Sequence, residues 1–289
     1  METIALAGSG GIRLVADVDG DPASPPVILL HGGGQTRHAW GTTLQTLASK
    51  GWHAYSVDLR GHGDSEWAVD GDYGLDAFAA DVREIARVLH ETPVLVGASL
   101  GGIASLTAIS ESDPPPLASA LVLVDVAPRV EYEGAMRIGD FMRGHLEDGF
   151  GSLEEVADAI AAYNPHRPRP KDLSGLKKNL RQRPDGRWAW HWDPDFVAGR
   201  KGSPDETRAS SLMNEERLKN AARALTIPTL LVRGRMSDIV TEEGARELRE
   251  LVPHAQVVDV ADAGHMVAGD KNDLFNDAVV TFLTEAREA

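Results

Sequence analysis

The sequence predicts an α/β fold: a mostly parallel sheet covered by helices on both faces, with an inserted helical cap. Three observations carry this expectation. Short apolar runs bounded by Gly and Pro alternate with stretches of helical periodicity, up to residue 128 and again from near Leu225. Between them, residues 129–210 contain no sheet-like apolar run. A serine stands at a glycine-lined corner between a strand-like and a helix-like run, in PVLVGASLGGIAS at 93–105.

The elements follow in order. TIALAG and IRLVADVDG, joined by a turn at Gly8 to Gly11, suit an edge hairpin. Val27 to Leu30 of PPVILLHGGG form an unbroken apolar run, as expected of a strand buried on both faces. WHAYSVD, PVLVGA, SALVLVD, IPTLLVRG and AQVVDV repeat that plan. HAWGTTLQTLASKG reads as a helix ended by Gly51. In LDAFAADVREIARVLH, Leu75, Phe78, Ala79, Val82, Ile85, Ala86 and Leu89 share one helical face. EEGARELRELV and LFNDAVVTFLTEA are helical as well. The expected organisation is a core of residues 1–128 and 211–289 with a cap of residues 129–210. The cap contains MRIGDFMRGHLEDG, SLEEVADAIAAYN, the Pro/Arg stretch NPHRPRPKD and RWAWHWDPDF.

Composition narrows the chemistry. The chain has 289 residues, no cysteine and a formal net charge of −15. Disulfides, thiolate catalysis and cysteine-held zinc are excluded within this chain. An acidic surface repels phosphate backbones, so nucleic acid is not an expected partner. METIALAGSGG lacks a basic region followed by a long apolar run; no membrane partner and a cytoplasmic location are expected. Nothing in the sequence fixes the oligomeric state.

Gly97-Ala98-Ser99-Leu100-Gly101 is a G-x-S-x-G sequence in the strand–turn–helix context that this motif requires. A nucleophile on so sharp a turn sits on strained backbone, and its neighbours must be small. The turn lifts the Ser99 hydroxyl above the sheet and aims the Leu100 N–H at the same space, where the helix dipole favours negative charge. A serine hydroxyl needs a base, held in turn by a carboxylate. Among ten histidines, His265 is the candidate base, because VADAGHMVAGD follows the last strand at the carboxyl edge of the sheet. Two aspartates could orient it. Asp238, in LLVRGRMSDIV, gives the chain order Ser99, Asp238, His265 and is preferred on that order; Asp125, in LVLVDVAP, is the alternative. Asp58, ahead of RGHG, reads as a turn carboxylate. In HGGG at 31–34, the Gly33 N–H is the candidate second donor for an oxyanion.

VILLHGGG, VDLRGHGDS, LVGASLGG, LLVRGRMSD and DAGHMVAGD, in that order over residues 27–128 and 225–285, resemble the alpha/beta-hydrolase family. The resemblance implies a doubly wound sheet of about eight strands, a serine–aspartate–histidine triad, no cofactor, no metal, and a cap that shapes the pocket for a small acyl substrate. Epoxide hydrolases and haloalkane dehalogenases are similar but attack with a carboxylate where this chain has Ser99. The expected activity is that of a serine hydrolase cleaving a carboxylic ester or lactone through an acyl-enzyme. Cofactor-free perhydrolases or haloperoxidases and C–C bond hydrolases use the same triad and stay open, as does a non-catalytic ligand-binding member of the fold.

In the cap, Trp188, Trp190 and Trp192 lie two apart and share a face if extended. With Phe141, Met142 and Met136 they either roof a pocket or pack cap against core. His31, His38 and His62 sit in separate motifs and read as structural.

Overall fold

A computed structural model of the chain describes residues 1–129, 131–165, 169–198, 214–261, 263–265 and 272–288. The hairpin of β1 (Glu2–Ala7) and β2 (Arg13–Asp19) opens the fold. It is followed by β3 (Pro26–Leu30), α1 (Gly41–Ser49), β4 (His53–Asp58), α2 (Leu75–Arg87), β5 (Val94–Ala98), α3 (Leu100–Ser110) and β6 (Ala120–Val124). After an intervening segment come α7 (Glu215–Arg223), β9 (Thr229–Gly234), α8 (Glu242–Leu251), β10 (Gln256–Val260) and α9 (Asn272–Glu288). The eight strands of the main sheet lie in the order β1-β2-β4-β3-β5-β6-β9-β10. β1 and β2 are antiparallel to their neighbours, and every pair from β4 to β10 is parallel.

The two-residue period of a strand sorts the core into two layers. Val27, Leu29, Val94, Val96, Val122, Leu230 and Val232 pack on one face with Leu44 and Leu47 of α1 and Phe275 and Val279 of α9. Ile28, Leu30, Leu95, Leu121, Leu123 and Leu231 pack on the other with Phe78 and Val82 of α2, Leu106 of α3, Leu218 of α7 and Leu248 of α8. Burial on both faces is why these strands read as unbroken apolar runs.

The segment between β6 and α7 contains α4 (Tyr132–Arg143), α5 (Leu153–Tyr163), β7 (Leu180–Gln182), β8 (Trp188–Trp190) and a single turn, α6 (Asp195–Ala198). It has its own small core of Met142, Phe150, Val156, Leu180, Trp190 and Trp192. The segment also holds an antiparallel ribbon of β7 and β8, whose three-residue strands leave too short an alternation to read. α7 buries Leu218, Ala221 and Ala222. The expected boundary at 210/211 and the HRP of the Pro/Arg stretch lie outside the described residues.

The topology places the site. From β3 the chain turns one way to β4, and β5 lies on the other side. The loops after β3 and β5 therefore meet at a switch point on the carboxyl edge of the sheet. Among the described residues, no helix is long and apolar enough to cross a membrane.

Candidate active site

Ser99 occupies the corner between β5 and α3 with φ 46° and ψ −112°. The glycines around it are required by contact. A Cβ on Gly97 would stand 2.5 Å from the Gly102 nitrogen, and one on Gly101 would stand 2.7 Å from the Leu30 carbonyl carbon. The Ser99 N–H donates to Val124 O at 3.1 Å, and its carbonyl accepts from the Gly102 and Ile103 N–H groups. The backbone is locked on both sides while the hydroxyl makes no hydrogen bond among the described residues.

The strand register sets Asp125 beside it. Ala98 pairs with Val124, so Ser99 and Asp125 leave adjacent parallel strands at the same level. Asp125 is fully buried and has φ 47°. His265 Nδ1 donates to Asp125 Oδ2 at 2.8 Å. That bond leaves the proton on Nδ1 and the lone pair on Nε2, the form in which an imidazole accepts a hydroxyl proton. No hydrogen bond joins Ser99 to His265, a contact that in empty sites often tightens only when substrate binds.

In this geometry His265 is hydrogen-bonded to Asp125 and not to Asp238, the aspartate that chain order preferred. Asp238 follows β9 at the same edge of the sheet, but its carboxylate pairs with Arg137 of α4 and is 41% exposed. Chain order put both aspartates at the right edge. It could not tell that residue 125 turns inward through a left-handed backbone while residue 238 turns out toward a cation.

The loop after β3 faces Ser99. A Cβ on Gly32 would stand 3.4 Å from the Ser99 Cβ. Of the three glycine N–H groups, that of Gly32 donates to Gln35 Oε1 at 3.0 Å and that of Gly34 to His62 Nε2 at 3.1 Å. The Gly33 N–H makes no hydrogen bond among the described residues, and a Cβ on Gly33 would stand 3.9 Å from Leu100 Cδ2. Leu100 opens α3, so its N–H has no partner within the helix.

His31 and His62 pin this loop, as their motif contexts suggested. His31 Nδ1 donates to Gly32 O at 2.8 Å, and its Nε2 accepts the Leu59 N–H. His62 Nδ1 donates to Arg60 O at 2.9 Å, and its Nε2 accepts from Gly34. Both rings are fully buried, and desolvation pushes their pKa down, to about 4 for His31 and about 3 for His62. Neutral rings can accept as well as donate, which these bonds require. Asp58 bridges the two loops, accepting the Arg37 N–H at 2.6 Å, Arg37 Nη1 at 2.5 Å and the Asp64 N–H at 2.9 Å. His38 lies 3.6 Å from Asp17.

The aromatics of the segment between β6 and α7 divide. Trp188 pairs in a β-bridge with Phe150, Trp190 meets Phe150 and Phe141 edge-on, and Phe141 stacks on Tyr163 at 4.4 Å. These residues pack within the segment itself. Met142 and Trp192 reach the Gly34 backbone, while Met136 is 41% exposed. Phe196, which sequence reasoning missed, also meets the loop: its Cζ would be 3.2 Å from a Gly33 Cβ, and its ring meets His62 edge-on at 4.7 Å. A lone aromatic in a one-turn helix carries no periodic signal. Ser237 was also missed; it donates to Asp125 Oδ2 at 2.5 Å.

Comparison with known proteins agrees with this architecture. Residues 25–271 match the alpha/beta hydrolase fold family. An esterase of Mycobacterium tuberculosis is 32% identical over 256 residues, 86% of this chain and 79% of that protein. A 3-hydroxybutyrate-oligomer hydrolase of Cupriavidus necator is 29% identical over 90% of this chain and 89% of its own. A solved structure of the same M. tuberculosis esterase superposes with a TM-score of 0.71 at 30% identity, over 98% of this chain and 92% of that one. The chain belongs to the alpha/beta-hydrolase family.

Proposed function

We propose that the chain hydrolyses carboxylic esters or lactones through an acyl-enzyme on Ser99, with His265 as base and Asp125 as the carboxylate that holds it. The class, a carboxylic ester hydrolase, rests on family membership together with relatives named for ester hydrolysis. The observation that carries the mechanism is the 2.8 Å bond from His265 Nδ1 to a buried carboxylate that leaves the sheet beside Ser99.

His265 Nε2 takes the Ser99 proton as the oxygen attacks the acyl carbon. The tetrahedral oxyanion is held by the N–H groups of Leu100 and Gly33, neither of which has a hydrogen-bond partner among the described residues. The imidazolium returns its proton to the departing alkoxide, and the alcohol leaves or, in a lactone, stays tethered. Water, deprotonated by His265, then attacks the acyl-Ser99 carbonyl, and the proton passes back to Ser99 as the acid is released. The proposed cap, residues 129–210, brings Phe196, Met142 and Trp192 against the glycine loop and so borders the space above Ser99.

The test is turnover on a panel of p-nitrophenyl esters and lactones of varied acyl size. Ser99→Ala is expected to lower kcat by at least about a thousandfold with the fold intact by circular dichroism. Near-normal turnover in that variant overturns the proposal.

A further inference from the structure

We propose that Ser237 is a positioning residue of this site, fixing Asp125 for His265 and drawing off part of the carboxylate's charge; the inference rests on the triad reading above. Asp125 is a fully buried carboxylate with no Arg or Lys ion pair among the described residues. Hydrogen-bond donors must carry its charge instead. Oδ1 accepts the Gly234 N–H at 3.0 Å, and Oδ2 accepts His265 Nδ1 at 2.8 Å and the Ser237 hydroxyl at 2.5 Å.

The direction of the Ser237 bond follows from counting. A hydroxyl has one proton and two lone pairs. The N–H groups of Ile239 and Val240 donate to Ser237 Oγ at 3.1 and 3.2 Å. Both lone pairs are thereby used, and the one proton points at Asp125. Ser237 itself is held by its N–H to Gly234 O at 3.0 Å. The end of β9 and the loop after it, where chain order placed the carboxylate, thus contribute one donor each to a carboxylate that follows β6.

The hydroxyl dipole points its positive end at the oxygen that also faces the imidazole. It therefore opposes positive charge on the ring. Other charges nearby are already paired: Arg233 of β9 with Asp259 of β10 at 2.8 Å, and Asp238 with Arg137 of α4. Removing the hydroxyl frees Asp125 to rotate and concentrates its charge on His265, so the acidic limb of kcat/KM should move to higher pH.

The experiment compares Ser237→Ala, Ser237→Thr, Asp125→Asn and the double variant S237A/D125N, with active sites counted by fluorophosphonate titration. Per titrated site, Ser237→Ala is expected to lower kcat about tenfold with KM nearly unchanged, and to shift the acidic limb up by roughly half a pH unit. Threonine, which keeps the hydroxyl, restores both. In the Asp125→Asn background, Ser237→Ala costs less than twofold, because its route to the chemistry is already cut. A wild-type kcat and limb per site in Ser237→Ala, or full additivity in the double variant, overturns the proposal. If Asp125→Asn or Ser99→Ala instead turns over normally, the triad reading itself has failed and this inference falls with it.

Discussion

Ser99 and Asp125 stand side by side at the ends of β5 and β6, and among the described residues they are the two non-glycine positions with positive φ, 46° and 47°. Each such conformation costs on the order of 1–3 kcal/mol. Strain at two neighbouring polar residues, one of them fully buried, marks the place where the fold gives up stability to aim side chains. Asp125→Asn keeps the shape but lets the amide hold the wrong histidine tautomer, and it is expected to lower kcat about 10⁴-fold. Asp238→Asn is expected to leave kcat within about threefold, since its carboxylate makes a partly exposed ion pair with Arg137. Kinetics of the two variants side by side decide it; the reverse pattern would restore Asp238.

Phe196 limits the space beside Gly33. Phe196→Ala should shift selectivity toward esters with bulkier acyl groups by about tenfold in the kcat/KM ratio, the scale set by one or two methylenes in a pocket. An unchanged ratio between acetyl and octanoyl p-nitrophenyl esters would place the acyl group elsewhere.

Gly97 cannot carry a side chain. A Cβ there would lie 2.5 Å from the Gly102 backbone nitrogen, where no rotamer change relieves it. Gly97→Ala is expected to destabilise the fold by about 2–4 kcal/mol in urea unfolding, as overpacking against fixed backbone does. A loss under about 0.5 kcal/mol, the range of an ordinary surface change, would mean that the corner can relax.

Stability should fall with mild acid. The His31 and His62 pKa values are pushed down by burial from 6.5 to about 4 and about 3, so between pH 6.5 and those values the unfolded chain binds protons that the folded chain does not. Their stabilisation is complete above pH 6.5 and is lost as the pH drops, by about 2 kcal/mol for each ring on reaching pH 5. Burial lowers His38, His53 and His191 as well, adding in the same direction. Urea unfolding at pH 7 and pH 5 measures the loss; equal stabilities would mean that the two rings are not buried neutral.

Much of this was legible because local chemistry dictated it. Strands buried on both faces must be apolar throughout, a strand-to-helix corner bearing a nucleophile must be lined with glycine, and the loop facing it needs free N–H groups. Asp125 carried a readable sign too, since it ends the wholly buried strand ALVLV, whereas Asp238 sits in the polar loop RMSD. The preference for Asp238 came from chain order, which records where a residue leaves the sheet and not which way its side chain turns. Ser237 and Phe196 make their contacts across the fold, so the segments that hold them were legible while the two residues themselves were not.

The proposed chemistry depends on one activated hydroxyl, that of Ser99. Intact-protein mass spectrometry after reaction with a fluorophosphonate is the decisive measurement. A single adduct is expected, mapped to Ser99 and absent from both Ser99→Ala and an inhibitor-blocked sample. No adduct on a folded, ester-hydrolysing protein, or an adduct that persists in Ser99→Ala, would contradict it.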